Sequence, residues 1–360
     1  MTGSSPRILL GHLAAFGDCL YATVIARQIK HDFPTCHLTW AIATPYRQII
    51  EDNPYVDAIW EVPISMGEAV AGGWRAFTRE AEKRRKEGLL ERVFFTQIPP
   101  DNFQNFDGTV RASIFNGYPG KITVPLNPVL RLRSEEVDRV RAFAEHHDLP
   151  GKRHVVLFEC AGLSGQTFVT QPFALDTARR VLQKVENCCI LLSSSQRLES
   201  DDPRIIDASV LRFRENAQLT QYATLFVGCS SGITWLSTSD CAKRLPTIQL
   251  LRRATSIYAS MVHDAQYFGL PHDHIIEMTD CTATHLAECI SAALTTSFAA
   301  AQTRFHERIR IDHQFYLNTF FLPILKRGQM IKAARSLLQV IRRYGVRAIT
   351  NTLKAIFDAL

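Results

Sequence analysis

The sequence predicts an α/β fold of two domains, each a parallel sheet covered by helices, followed by a helical C-terminal extension. Three observations predict it. The apolar run Ile8-Leu9-Leu10 meets a small-residue turn ending in Gly17-Asp18, and the segment from Cys19 to His31 then carries Leu20, Val24 and Ile25 at helical spacing. The same order of apolar strand, Gly/Ser-rich turn and helix recurs at His154–Cys160, Ala161–Thr167 and from Gln171 onward. A chain of 360 residues is also long enough for two domains of ordinary size, each with its own core.

In chain order, Gly17 allows a tight turn after the first strand. Asp18 stands where the helix begins, either to cap it or to point into the crevice at the strand's carboxyl end. No Gly-x-Gly-x-x-Gly is present, so a dinucleotide fingerprint is absent. After the break Asp32-Phe33-Pro34 comes a strand over His37–Ala43, then a short helix from Tyr46 to Glu51 and a strand at Ala58–Pro63. A charged helix over Ala69–Leu90 carries Lys83-Arg84-Arg85-Lys86-Glu87, read as a solvated face or as an electrostatic lip for an anionic acceptor. A strand at Val93–Gln97 and a helix at Val110–Gly117 complete the first domain.

The connection is expected within Thr123–Arg133, which holds prolines at 125 and 128, and Ser134 is expected to cap the next helix. This divides the chain into 1–130, 131–300 and a basic amphipathic segment, 301–360. In the second domain, Pro172 opens a helix at a favourable first position, and Cys188–Ser193 is a strand that leads to Glu199 in a loop. A further strand, Thr224–Gly228, runs into Cys229-Ser230-Ser231-Gly232, with a helix from about Ile233. Unpaired amides and two hydroxyls there are expected to form an anion site. Pro246–Leu251 is the next strand.

These residues carry a resemblance. The order of Gly17-Asp18 before a helix, the Phe-Pro break, an alternating strand and Asn53-Pro54-Tyr55-Val56-Asp57 before another strand is similar to the heptosyltransferase-like glycosyltransferases of family 9. The likeness spans residues 7–63 and returns over 154–251. It implies the GT-B arrangement, two Rossmann-like domains facing each other across a cleft, with the acceptor on the N-terminal domain and a nucleotide-sugar donor on the C-terminal one. It implies Asp18 as the general base of an inverting, metal-independent transfer, with no cofactor. His12 and Gly17 are implied beside the acceptor, which is a glycan, a lipid-linked glycan or a protein.

For the donor, the resemblance implies Ser164, Gly165 and Gln166 in the first turn of the second domain, with Glu199 near the nucleoside. It further implies Ser230, Ser231, Gly232 and Trp235, where the family has Asp, Thr, Gly and His. The family's lysine in the 161–167 turn is missing, and Trp235 offers a stacking face in place of an imidazole. These departures leave the sugar open between a heptose and a hexose or deoxysugar. Two further readings stay open: a catalytically silent GT-B binding subunit, and a GT-B-fold sugar-nucleotide epimerase.

Composition agrees. The apolar fraction of 46% and charged fraction of 21% are those of a globular protein, and no apolar segment reaches the ~20 residues of a membrane span. The start of the chain lacks signal-peptide character, and nine cysteines occur without a Cys-x-x-Cys pair. A reducing, bacterial-type cytoplasm and no metal site are therefore expected. Between residues 320 and 360 eight basic residues face the single acid Asp358, so this segment accounts for more than the whole net charge of +6. Its apolar residues Ile331, Ala334, Leu337, Leu338 and Ile341 recur at helical spacing. The segment is expected either to pack on a domain with its basic face in water, or to lie on an anionic membrane surface. No nucleic-acid motif accompanies the charge, so no nucleic-acid partner is expected.

Overall fold

The computed structural model describes residues 5–66, 70–160, 167–309, 317–347 and 350. They form two compact units, one of residues up to 130 together with those from 317 on, the other of residues 131–309.

The first unit is built on a four-stranded parallel sheet in the order β3-β2-β1-β4, with β1 Arg7–Gly11, β2 His37–Ala43, β3 Ala58–Val62 and β4 Arg92–Phe95. Central β1 is buried from Ile8 to Gly11, as expected of a parallel strand covered on both faces. Gly11 is required there: a Cβ would lie 2.8 Å from the Phe95 ring and 2.9 Å from that of Phe77. Helix α1, Phe16–Asp32, is buried continuously from Cys19 to Ile29 because the connection to the second unit is laid along it. Thr23 Oγ1 accepts from the Val129 amide (2.7 Å), Gln28 Oε1 accepts from the Thr123 amide (2.7 Å), and Arg27 donates to the Pro125 carbonyl (2.9 Å).

Helix α2, Val70–Lys86, buries Trp74, Phe77 and Ala81 on the sheet. Its basic run is exposed, with Arg84–Glu80 and Arg85–Glu82 pairs along it. Helix α3, Arg111–Phe115, completes this part, and the C-terminal helices also belong here.

The second unit starts with α4, Ser134–His146. Ser134 is its first helical residue and not the cap; the Glu136 carboxylate instead accepts from the Arg133 amide at 2.8 Å. Six parallel strands come next, in the order β10-β9-β8-β5-β6-β7. They are β5 His154–Glu159, β6 Cys188–Ser193, β7 Ile205–Asp207, β8 Leu225–Gly228, β9 Thr247–Leu251 and β10 Ile275–Thr279. The helices between are α5 Gln171–Leu182, α6 Glu215–Leu219, α7 Gly232–Leu236, α8 Met261–Tyr267, α9 Ala283–Thr295 and α10 Phe298–Phe305. Alternate residues serve opposite cores: Val156 and Phe158 join Ile190, Leu192 and Val227 on one face, while Val155 and Leu157 join Leu191 and Phe226 on the other. Residues 301–309 fold with this unit.

Both sheets reverse their winding direction beside their first strand, between β1 and β4 and between β5 and β8. In open α/β sheets the crevice at the carboxyl ends of such strands is where ligands bind.

Candidate functional site

At the first reversal point the chain leaves β1 through residues 12–15, and this turn is heavily braced. The side-chain oxygen of Gln97, just past β4, accepts from the amides of both Leu13 and Ala14 at 2.9 Å. The His12 amide donates to the Ala41 carbonyl (3.2 Å), and the buried Trp40 indole donates to the His12 carbonyl (2.9 Å). These donors are consumed internally, so the turn positions helix α1 and does not itself cradle an anion.

Helix α1 begins at Phe16, with Ala15 at its cap position and no side-chain cap. Gly17 lies inside the first turn of the helix, and the reversal falls on residues 12–15 instead. Asp18 is likewise not the cap. It is the third helical residue, and its carboxylate takes a hydrogen bond from the Ala15 backbone, the reciprocal half of a capping box. Burial raises its pKa to about 7, opposed by that one hydrogen bond. The charge is felt nearby, where burial and then Asp18 push the Cys19 thiol well up and contribute to raising Tyr46. Phe16 and Tyr46 meet edge to face, ring centroids 4.8 Å apart.

His12 is fully buried, and burial lowers its pKa to about 3, so it is neutral near pH 7. Its Nδ1 lies 2.9 Å from Thr96 Oγ1, and Nε2 has no hydrogen-bond partner among the described residues. It makes no hydrogen bond to Asp18, so it does not orient that carboxylate.

At the second reversal point one of the protein's own carboxylates reaches the 229–234 segment. Glu159, the last residue of β5 and 1% exposed, accepts four hydrogen bonds. Oε2 takes the Cys229 amide (2.9 Å) and the Thr234 hydroxyl (2.5 Å); Oε1 takes the Ile233 amide (3.1 Å) and the Ser231 hydroxyl. Ser230, in the left-handed region at φ 62°, donates its amide to Thr234 and its hydroxyl to the Leu250 carbonyl. The Cys229 and Ile233 amides and the Ser231 and Thr234 hydroxyls therefore hold the protein's own carboxylate. Gly232 starts the five-residue α7, and Trp235 within it is 5% exposed.

Glu159 belongs to a layer of polar side chains. Gln249 on β9 accepts from the Met261 amide (2.8 Å) and donates to Ser230 Oγ (2.8 Å) and the Ala259 carbonyl (2.9 Å). Glu277 on β10 accepts from Ser260 Oγ (2.7 Å) and the Val262 amide (3.0 Å), and burial raises its pKa to about 7. Three strands thus each contribute one polar side chain to hold the loops above the sheet. Sequence reading missed all three, because each is a single polar letter in an apolar run.

Ser164, Gly165 and Gln166 lie outside the described residues. Glu199 is exposed in the loop after β6 and makes no hydrogen bond among the described residues. Arg252, directly after β9, was also missed. It is exposed with no ion pair among the described residues, whereas its neighbour Arg253 is tied to Thr279 (2.6 Å) and Glu307 (3.2 Å). Arg252 therefore offers an exposed cation at the carboxyl edge of the second sheet.

The chain is similar to the solved structure of a family 9 glycosyl transferase from Veillonella parvula, at 13% identity and TM-score 0.56 over 84% of this chain and 97% of that one. The fold is that of a GT-B glycosyltransferase. It is also similar to E. coli ADP-heptose lps heptosyltransferase II, at 12% identity and TM-score 0.53 over 80% of this chain and 98% of that one. No protein-family model matches the chain, and no curated protein matches it.

Proposed function

We propose that this protein is a glycosyltransferase that takes a sugar from a nucleotide diphosphate donor, with Asp18 as the general base. The observation that carries the reading is the Asp18 carboxyl, held at a sheet reversal point with a pKa of about 7. A base of that strength is half ionised near neutrality, which suits removal of a proton from a hydroxyl as that oxygen becomes a nucleophile. In the proposed step the acceptor oxygen bonds to the anomeric carbon from the face opposite the leaving group. The carbon–oxygen bond to the diphosphate breaks, and the diphosphate leaves with the electron pair. Configuration inverts, and the acceptor's proton passes to Asp18. The first unit takes the acceptor, a glycan, lipid-linked glycan or protein. The second takes the donor, whose diphosphate charge is met by Arg252.

The test is the release of nucleoside diphosphate. Asp18→Asn lowers kcat by roughly 10²–10⁴ with donor affinity unchanged, the usual worth of general-base catalysis, and chelation of divalent metals leaves the wild-type rate unaltered. An Asp18→Asn variant with wild-type turnover contradicts the assignment. One observation favours a second reading, the catalytically silent binding subunit: Glu159 occupies the turn that the resemblance gives to the donor. On that reading the wild-type protein shows no turnover with any donor.

A further inference from the structure

We infer that the C-terminal helix of the first unit docks on an anionic lipid bilayer, an inference that goes beyond the transferase reading and does not depend on it. Two helices carry it: α11, Leu322–Lys326, and α12, Met330–Tyr344. The residues that α12 buries are small: Ala333, Ser336 and Val340. Ser336 Oγ donates to the Phe106 carbonyl (3.1 Å), Lys332 Nζ donates to the Asp101 carbonyl (3.0 Å), and Arg343 forms a fully buried ion pair with Asp107 (3.0 Å).

Leu337 and Ile341 are half-buried, and the other large apolar residues point to solvent. Ile331 is 72% exposed, Met330 64% and Leu338 49%, with Ala334 exposed between them and Val346 at 64% just beyond the helix. At 100° per residue, Met330, Ile331, Ala334 and Leu338 form one continuous stripe, and Arg335 and Arg342 lie along its edge. No acid occurs between residues 317 and 347. Lys326, Arg327, Arg335, Arg342 and Arg347 are exposed and make no ion pair among the described residues.

This charge selects the occupant. A second copy of the chain would bring five like charges against five. A nucleic acid would meet the cations but leave the apolar stripe in water. An anionic bilayer satisfies both, with the stripe among acyl chains at the headgroup boundary and the cations on lipid phosphates. The buried Arg343–Asp107 pair and the Ser336 contact keep α12 seated on its unit, so the surface is presented ready-made.

Flotation of the full chain with vesicles tests the inference, comparing phosphatidylcholine alone with vesicles in which phosphatidylglycerol replaces about a third of it. The protein is expected to float with the anionic vesicles only, and to release at about 1 M salt, where screening is nearly complete. A cation near an anionic surface is worth about fivefold in binding, so Arg335→Glu with Arg342→Glu lowers binding at least ~25-fold. Ile331→Ser with Leu338→Ser lowers it at least ~10-fold. Both pairs are exposed and keep the wild-type melting temperature. Equal binding to neutral vesicles, or binding that neither pair alters, overturns the inference. So does a dimer in light scattering that Ile331→Ser with Leu338→Ser dissolves while vesicles stay unbound, or tighter binding to a DNA duplex than to the anionic vesicles.

Discussion

Asp18 and His12 sit six residues apart on the same strand-to-helix passage, and burial drives their pKa values in opposite senses. Asp18 is raised from 3.8 to about 7, so the folded state holds a proton that the unfolded chain has already lost. That contribution is present at low pH and disappears as pH rises from about 4 through 7. Asp18→Asn is therefore expected to stabilise the protein at pH 8 by roughly 1–3 kcal/mol, after discounting for solvent at a half-buried residue, and to change little at pH 4. Denaturant titrations at the two pH values measure this; a variant destabilised at pH 8 would show that the carboxylate is held as a favourable ion.

His12 is lowered from 6.5 to about 3, so its contribution is intact above pH 6.5 and is lost as pH falls toward 3. His12→Gln is expected to flatten the loss of stability over that interval, read from melting temperatures taken across it. Asp18 was legible from sequence as a residue of interest, read either as a cap or as a carboxylate in the crevice, and it is not the cap. Cap reasoning looks for a side chain at the cap position, whereas here Ala15 holds that position and Asp18 answers its amide from within the helix.

Among the elements, the loops above the second sheet are anchored by carboxylates and an amide from the strands below. Glu159→Ala leaves two amides and two hydroxyls of the 229–234 segment without their acceptor, an expected cost of about 3–5 kcal/mol in equilibrium unfolding; Glu159→Gln keeps one acceptor oxygen and costs about half as much. Full stability of Glu159→Ala would mean that the segment does not depend on an internal anion. The strands themselves were legible, because parallel strands covered on both faces read as apolar runs. The partner of each loop amide was not legible. The Ser230-Ser231-Gly232 turn reads as an anion site whether the anion is a ligand or Glu159, some seventy residues earlier in the chain.

The same holds at α12, whose period was clear while the side that packs was not. Ile331, Ala334, Leu337, Leu338 and Ile341 recur at helical spacing, yet of these only Leu337 and Ile341 are half-buried, because the partner loop offers carbonyls and Asp107, which select Ser336, Lys332 and Arg343. Asp107→Ala leaves the Arg343 guanidinium buried without its counter-ion, so a loss of about 3–5 kcal/mol is expected. Increased hydrogen exchange along α12 is expected with it. Exchange unchanged in α12 would show that the helix is held by other contacts.

Across the whole molecule, two parallel sheets each reverse winding beside their first strand, and each reversal point carries a buried titratable group, His12 with nearby Asp18 in one and Glu159 in the other. The two-sheet plan was legible because strand–turn–helix units occur twice, and the similarity to family 9 glycosyltransferase structures at 12–13% identity agrees with that plan. Beside β8, Ser230 bonds to Gln249 and the Leu250 carbonyl and Trp235 is buried, while Arg252 is exposed just after β9.

Binding of a nucleotide-sugar by this fold is tested most directly by thermal denaturation of the full chain with ADP-, UDP-, GDP- and dTDP-linked sugars and the bare diphosphates. A ligand at ~100 times its dissociation constant adds about 2.7 kcal/mol of stability. One nucleotide class is expected to raise the melting temperature of the wild-type and Asp18→Asn proteins alike, and Arg252→Ala to reduce the shift. An unchanged melting temperature across every nucleotide would contradict a donor site in this protein.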